Sequence, residues 1–202
     1  MLSFKRLKEE NLRKAIAGYE RALKTLGKEN SPLEYSEIKV LIGNAYSDLA
    51  EIKDTELNVN LAIEAFKEAL TIYTKEAYPI DYAMTQNNLG NAYIRLGEVR
   101  EPENNLQQAI KAFKEALTIR TKEAYPINYA GTQNNLGEAY RKLGEVREPE
   151  NNLQQAIKAF KEALTIYTKE AYPERHKKVT HNLALAQAQL TKTKQTNNPT
   201  AT

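Results

Sequence analysis

A period of 47 residues runs through this chain without slippage. Pro32, Pro79, Pro126 and Pro173 stand 47 apart. So do Asn11, Asn58, Asn105 and Asn152, then Ala15, Ala62, Ala109 and Ala156, then Leu49, Leu96, Leu143 and Leu190. A fixed pitch of this length belongs to stacked arrays, in which a unit closes its apolar face only against its neighbours. Such a chain grows by adding units rather than by enlarging one core. That displaces the one or two globular domains that 202 residues would otherwise imply.

Each period holds two helical patterns. In the first, Ala109, Ile110, Phe113, Ala116 and Leu117 recur at i, i+3, i+4, i+7. Asn104 or Asn105 is expected to cap this helix, with Gln107 or Gln108 completing a capping box. The helix is expected to run through Thr121–Ala124 and to stop at Tyr125-Pro126, because proline disfavours helical geometry in the residue before it and suits a first turn. The second pattern is Tyr129, Gln133, Leu136, Tyr140 and Leu143, ended by Gly144. We call the helix after the asparagines B and the helix after the proline A. B helices are expected near 11–27, 57–77, 104–124 and 151–171, and A helices near 32–51, 79–97, 126–144 and 173–192. The reading is an all-α solenoid forming one domain over 1–192. Residues 193–202, with nothing to bury, form a disordered tail.

Composition narrows the function classes. Ala, Leu, Glu, Lys and Gln dominate, all strong helix formers. The net charge is +3, with Lys and Glu interleaved along every helix, which gives no stripe for nucleic acid and no basic patch for a membrane. Without cysteine there is neither disulfide nor thiolate-bound metal. The first ten residues lack the apolar run of a signal peptide, and no stretch approaches the roughly 18 apolar residues of a membrane span. A cytoplasmic location is the expectation.

The residues of one period resemble the tetratricopeptide repeat. Leu89-Gly90-x-x-Tyr93, Gly97 and Ala109-x-x-x-Phe113-x-x-Ala116-Leu117 follow that family's order. Leu136-Gly137-x-x-Tyr140, Gly144 and Ala156-x-x-x-Phe160-x-x-Ala163-Leu164 repeat it, and Ile42-Gly43-x-x-Tyr46 with Ala62-x-x-x-Phe66-x-x-Ala69-Leu70 is a third copy. The usual unit has about 34 residues. The longer unit here, with its Asn-Asn-Leu run, is similar to the long repeats of kinesin light chains and of prokaryotic repeat proteins. The resemblance implies antiparallel helix pairs in a right-handed superhelix, with an inner surface of A helices that binds peptides or partner proteins. Transferred onto this chain, the family's binding positions are Val40 and Asn44, then Asn87, Asn91 and Arg95, then Asn134, Glu138 and Lys142, and His181. An asparagine amide both donates and accepts, so a row of them can hold an extended peptide backbone. The competing reading is that these amides satisfy neighbouring helix ends. The lysines of the family's chaperone-tail clamp are absent, since Val40, Asn87 and Asn134 stand at the main lysine position, and no such clamp is expected.

No chemistry competes with binding. His176 and His181 are five apart and do not share a helix face, so no metal site is expected. Pairs such as Lys67-Glu68 and Lys114-Glu115 are solvated helix faces rather than acid/base pairs. No phosphate loop or nucleophile elbow occurs, and neither an enzyme nor a cofactor is expected. Residues 79–125 and 126–172 differ at six positions: Asp81/Asn128, Met84/Gly131, Asn91/Glu138, Ile94/Arg141, Arg95/Lys142 and Arg120/Tyr167. Five of these lie on the A helix or its start.

The ends differ from the middle. Gln187 replaces the tyrosine of the other A helices, which suits a solvated cap. The first B helix has no A helix before it. Phe4, Leu7, Leu12 and Ile16 are then partly exposed and open to self-association, unless the first ten residues fold back over them. The leading expectation is a non-catalytic peptide- or protein-binding scaffold. A self-assembly module working through the N-terminal helix, and a sensor array of a signalling system, are the alternatives.

Overall fold

The computed structural model describes residues 2–197, which form eight helices and no strand. The chain divides into two compact units, Met1–Glu101 and Pro102–Thr202. The first holds α1 (Leu2–Leu26), α2 (Pro32–Ala50), α3 (Thr55–Ala69) and α4 (Pro79–Val99). The second holds α5 (Pro102–Leu117), α6 (Pro126–Leu143), α7 (Pro149–Leu164) and α8 (Pro173–Asn197). Odd numbers are B helices and even numbers A helices.

Both units are closed by the same device. A Cβ built on Gly43 of α2 would lie 2.5 Å from the Phe66 ring of α3, and one on Gly137 of α6 would lie 2.6 Å from the Phe160 ring of α7. Glycine is the residue that lets the phenylalanine ring lie against the helix backbone. Ala62, Ala69, Ala156 and Ala163 are fully buried around the same two rings. The small and large positions that recur every 47 residues thus interlock across each hairpin.

The helix boundaries correct the sequence reading at three places. First, the B helices start earlier and end earlier than expected, at Ala69, Leu117 and Leu164. Threonine stops them. The hydroxyls of Thr71, Thr118 and Thr165 each donate to the carbonyl three residues back at 2.7 Å. Those of Thr74, Thr121 and Thr168 accept the amides of Ala77, Ala124 and Ala171 at 3.2 Å. Hydroxyls that capture local backbone groups offer it an alternative to the helix ladder. Thr121–Ala124 is therefore a turn.

Second, the asparagines do not cap the B helices. Asp54, Glu101 and Glu148 precede α3, α5 and α7 in the left-handed region, with φ of 49, 43 and 43°. Asn58 and Asn152 sit inside the first turn, buried, and donate back to the carbonyls of Lys53 and Arg147 at 2.7 Å. Their fixed spacing comes from tying down the loop rather than from capping. Third, α8 continues through Lys192 to Asn197, where a disordered tail over 193–202 was expected; residues 198–202 lie outside the described residues.

The Tyr-Pro junctions behave as read. Tyr78 and Tyr125 hold φ near −137 and −139° with ψ 63 and 62°, and the proline opens the next helix. Residues 2–10 belong to α1 rather than folding back. Phe4 is 72% and Leu7 55% exposed, Leu12 is half-buried, and Ile16, expected to be open, is buried against Ala45 and Leu49.

Candidate functional site

Within each unit the A helices touch each other, α2 against α4 and α6 against α8. Among the described residues the B helices α1 and α3, or α5 and α7, do not. Each unit is therefore tighter on its A side, and the stripes carrying the sequence-derived site residues belong to these A helices.

In the first unit Asn44, exposed on α2, accepts a 3.1 Å hydrogen bond from the amide of Asn88 on α4. Asn87 donates to Asn88 at 3.4 Å, and Arg95 is ion-paired with Glu51 at the end of α2. Asn91 is half-buried and makes no side-chain hydrogen bond among the described residues. Val40 is buried, which removes it from any binding surface.

In the second unit Asn134 donates to Asn135 at 3.4 Å and accepts from Asn182 of α8 at 3.1 Å. Glu138 is gripped by Arg141 at 2.8 and 2.9 Å, with Lys142 3.8 Å away. Arg141 also reaches Glu145 at 2.6 Å and Gln189 at 3.4 Å. These bonds with Glu138 outweigh burial and hold its guanidinium above the ordinary arginine range. His181 is exposed.

Two of these amides, Asn44 and Asn134, join one A helix to the next through Asn88 and Asn182. Asn88, Asn182, Glu51, Arg141 and Gln189 were missed as members of this surface. A signal for the first two was present, because Asn88, Asn135 and Asn182 keep the 47-residue pitch beside Asn87 and Asn134. Pairs 44 apart, Asn44–Asn88, Glu51–Arg95 and Glu145–Gln189, and pairs 48 apart, Asn134–Asn182 and Arg141–Gln189, fall either side of the 47-residue pitch, so equivalent A helices lie close to register within each unit.

The opposite flank of the A helices carries a second recurring contact. The Tyr35 hydroxyl donates to Glu68, and Tyr129 donates to Glu162 at 3.1 Å. Lys39 pairs with Glu68 at 2.7 Å. Burial and the Glu68 bond push Tyr35 up to about 12. Burial also raises Glu68, but Lys39 and Tyr35 outweigh it and leave the carboxyl below its usual range.

Among the described residues no group of three or more His, Cys, Asp or Glu could hold a metal ion, and no helix is long and apolar enough to cross a membrane. Helical hairpins repeated at constant pitch, with polar stripes along their A helices, define an all-α solenoid of the protein-interaction class. The tetratricopeptide repeat profile matches residues 83–123 and 130–171, so α4–α7 and their connections carry the sequence pattern of that family. No curated protein matches this chain. A solved structure titled "Crystal structure of MamA" is similar over 95% of this chain and 95% of that chain, with a TM-score of 0.50 and 21% identity, a likeness of fold.

Proposed function

We propose that this chain is a non-catalytic scaffold that binds an extended peptide or a partner protein along the polar stripes of its A helices. The observation that carries the reading is the amide ladder. Asn44, Asn87 and Asn91 in one unit, and Asn134 in the other, present donor and acceptor groups on the tighter side of each unit. Backbone-directed amides bind main chain without demanding a particular side chain. Arg95, Glu138 and Lys142 add charge to the same stripes, and the Arg95–Glu51 pair is exposed, hence weak enough to exchange for a ligand.

The test compares the intact chain with Asn87→Ala/Asn134→Ala as immobilised bait. Proteins retained by the first and lost by the second, with circular dichroism unchanged, support the reading. Identical sets on both baits overturn it.

A second reading is favoured by the exposure of Phe4 and Leu7 on α1: self-association through that helix. Sedimentation should then show mass rising with concentration, and Phe4→Ser/Leu7→Ser should return it to a monomer. A monomer throughout removes this reading and leaves the first intact.

A further inference from the structure

On the B side of the second unit a cleft of about 210 Å³ opens between α5 and α7, which do not touch among the described residues. Helix α6 floors it with Leu136 and Tyr140, and Ala159 of α7 completes the apolar base. Lys114 of α5 stands on one rim, and Lys158 of α7, with Gln155, on the other. Both lysines are exposed. Lys114 lies over the Tyr140 ring at 5.7 Å, and neither lysine has an ion pair among the described residues. Glu162, also in the cleft, accepts the Tyr129 hydroxyl at 3.1 Å.

Two periods earlier the rim has the opposite sign. Glu20 and Glu64 stand 94 residues before the two lysines (114 − 20 and 158 − 64). Both are exposed, and Glu64 has no ion pair among the described residues. Glu20 stands by Tyr46, the counterpart of Tyr140: burial raises that hydroxyl and the Glu20 charge adds to it. The floor keeps its character, since Ile42, Tyr46 and Ala65 match Leu136, Tyr140 and Ala159. Only the charge on the rims is inverted.

Helix α3 departs from its sisters in a second way. Leu57, Leu61 and Glu64 lie at i, i+4 and i+7, on one stripe. The same positions are Asn104, Gln108 and Lys111 on α5, and Asn151, Gln155 and Lys158 on α7. Leu57 is 60% exposed and Leu61 half-buried. The sister helices hold the same frame with polar residues there, so the frame does not need the leucines. An apolar stripe that ends in an unpaired acid matches a groove with an apolar floor and a lysine on each rim. Helices seat as ridges in such grooves, and opposite potentials set which surface meets which.

We propose that α3 of one copy of this chain docks into the α5–α7 cleft of a second copy. Leu57 and Leu61 then cover Leu136, Tyr140 and Ala159, and Glu64 and Glu20 oppose Lys158 and Lys114. Two first units, or two second units, would set like charges together, so the contact pairs a first unit with a second. It uses the B faces, leaves the A-helix stripes free for a ligand, and is separate from association through α1.

The test is sedimentation velocity on the full chain over a wide range of concentration. Mass should rise with concentration and fall back at high salt, which screens the lysine–glutamate pairs. Lys114→Glu/Lys158→Glu and Glu20→Lys/Glu64→Lys should each weaken association by about tenfold or more, because like charges then meet. Mixed in equal amounts, the two variants should associate again, since each supplies the charge that the other lacks. Leu57→Asn/Leu61→Gln installs the residues that the sister helices carry, so it should keep its circular dichroism, and it should weaken association by about tenfold.

An intact chain that stays monomeric at every concentration, charge-reversed variants that associate as the intact chain does, or a mixture that stays monomeric overturns the docking. Association lost in Phe4→Ser/Leu7→Ser but kept in all the B-face variants also overturns it, and assigns the contact to α1.

Discussion

The two units share a frame and differ in what they hang on it. In α2–α3 and in α6–α7 the same glycine receives the same phenylalanine ring, and the same buried asparagine ties the same carbonyl at the same 2.7 Å. On the A-helix stripes the agreement ends. The first unit joins its A helices by Asn44–Asn88 and Glu51–Arg95. The second uses Asn134–Asn182 and a cluster of Glu138, Arg141, Glu145 and Gln189. Packing contacts tolerate no change because an added methyl group has nowhere to go. A half-solvated polar pair can be exchanged for another at a cost of a few tenths to about 1 kcal/mol. The difference between the units is therefore the imprint of where substitution is cheap, and the proposed binding surface lies there.

The comparison can be broken most directly at the rings. Phe66→Ala and Phe160→Ala should each destabilise by about 3–5 kcal/mol, and by similar amounts, in denaturant melts. Gly43→Ala and Gly137→Ala should cost about 1–3 kcal/mol from overpacking, less the roughly 1 kcal/mol that alanine gains over glycine in a helix. Strongly unequal losses between the units would show that the frame is not shared.

Alkaline pH should separate the units by a smaller margin. Burial raises Tyr35 and Tyr73 of the first unit to about 12, with the Glu68 bond adding to Tyr35 and the Asp81 charge to Tyr73. In the second unit burial and Glu162 raise Tyr129 as well. A tyrosine held above its ordinary value of about 10 keeps its proton more firmly when folded. The stability it contributes is whole below pH 10 and is lost as pH climbs from 10 towards 12. Burial raises Tyr46 of the first unit too, so that unit, with three such groups, should loosen before the second. Methyl signals of Ile63 and Ile157 followed through that range should lose dispersion in that order, and the reverse order would sink the assignment.

Much of the fold was legible because two periodicities coincide, 3.6 within a helix and 47 between helices. The ends of the B helices were not. Thr71, Thr118 and Thr165 read as ordinary helix positions until their hydroxyls are seen to take backbone partners. The asparagines misled in the opposite way, since Asn58 and Asn152 are the right residue for a cap yet lie within the first turn. For the site, the sequence places Asn44, Asn87 and Asn134 on one stripe. Their bonding to Asn88 and Asn182 depends on how far one A helix slides past the next, which packing sets and spacing does not reveal.

The Gly43–Phe66 and Gly137–Phe160 contacts span only 23 positions along the chain (66 − 43 and 160 − 137). Closing so short a loop costs little entropy, so each hairpin can lock as soon as its second helix emerges from the ribosome, ahead of any later segment. Nascent polypeptide of this kind never has to wait for a distant partner, which keeps sticky intermediates brief. It also lets a copied segment arrive in a lineage already able to assemble itself.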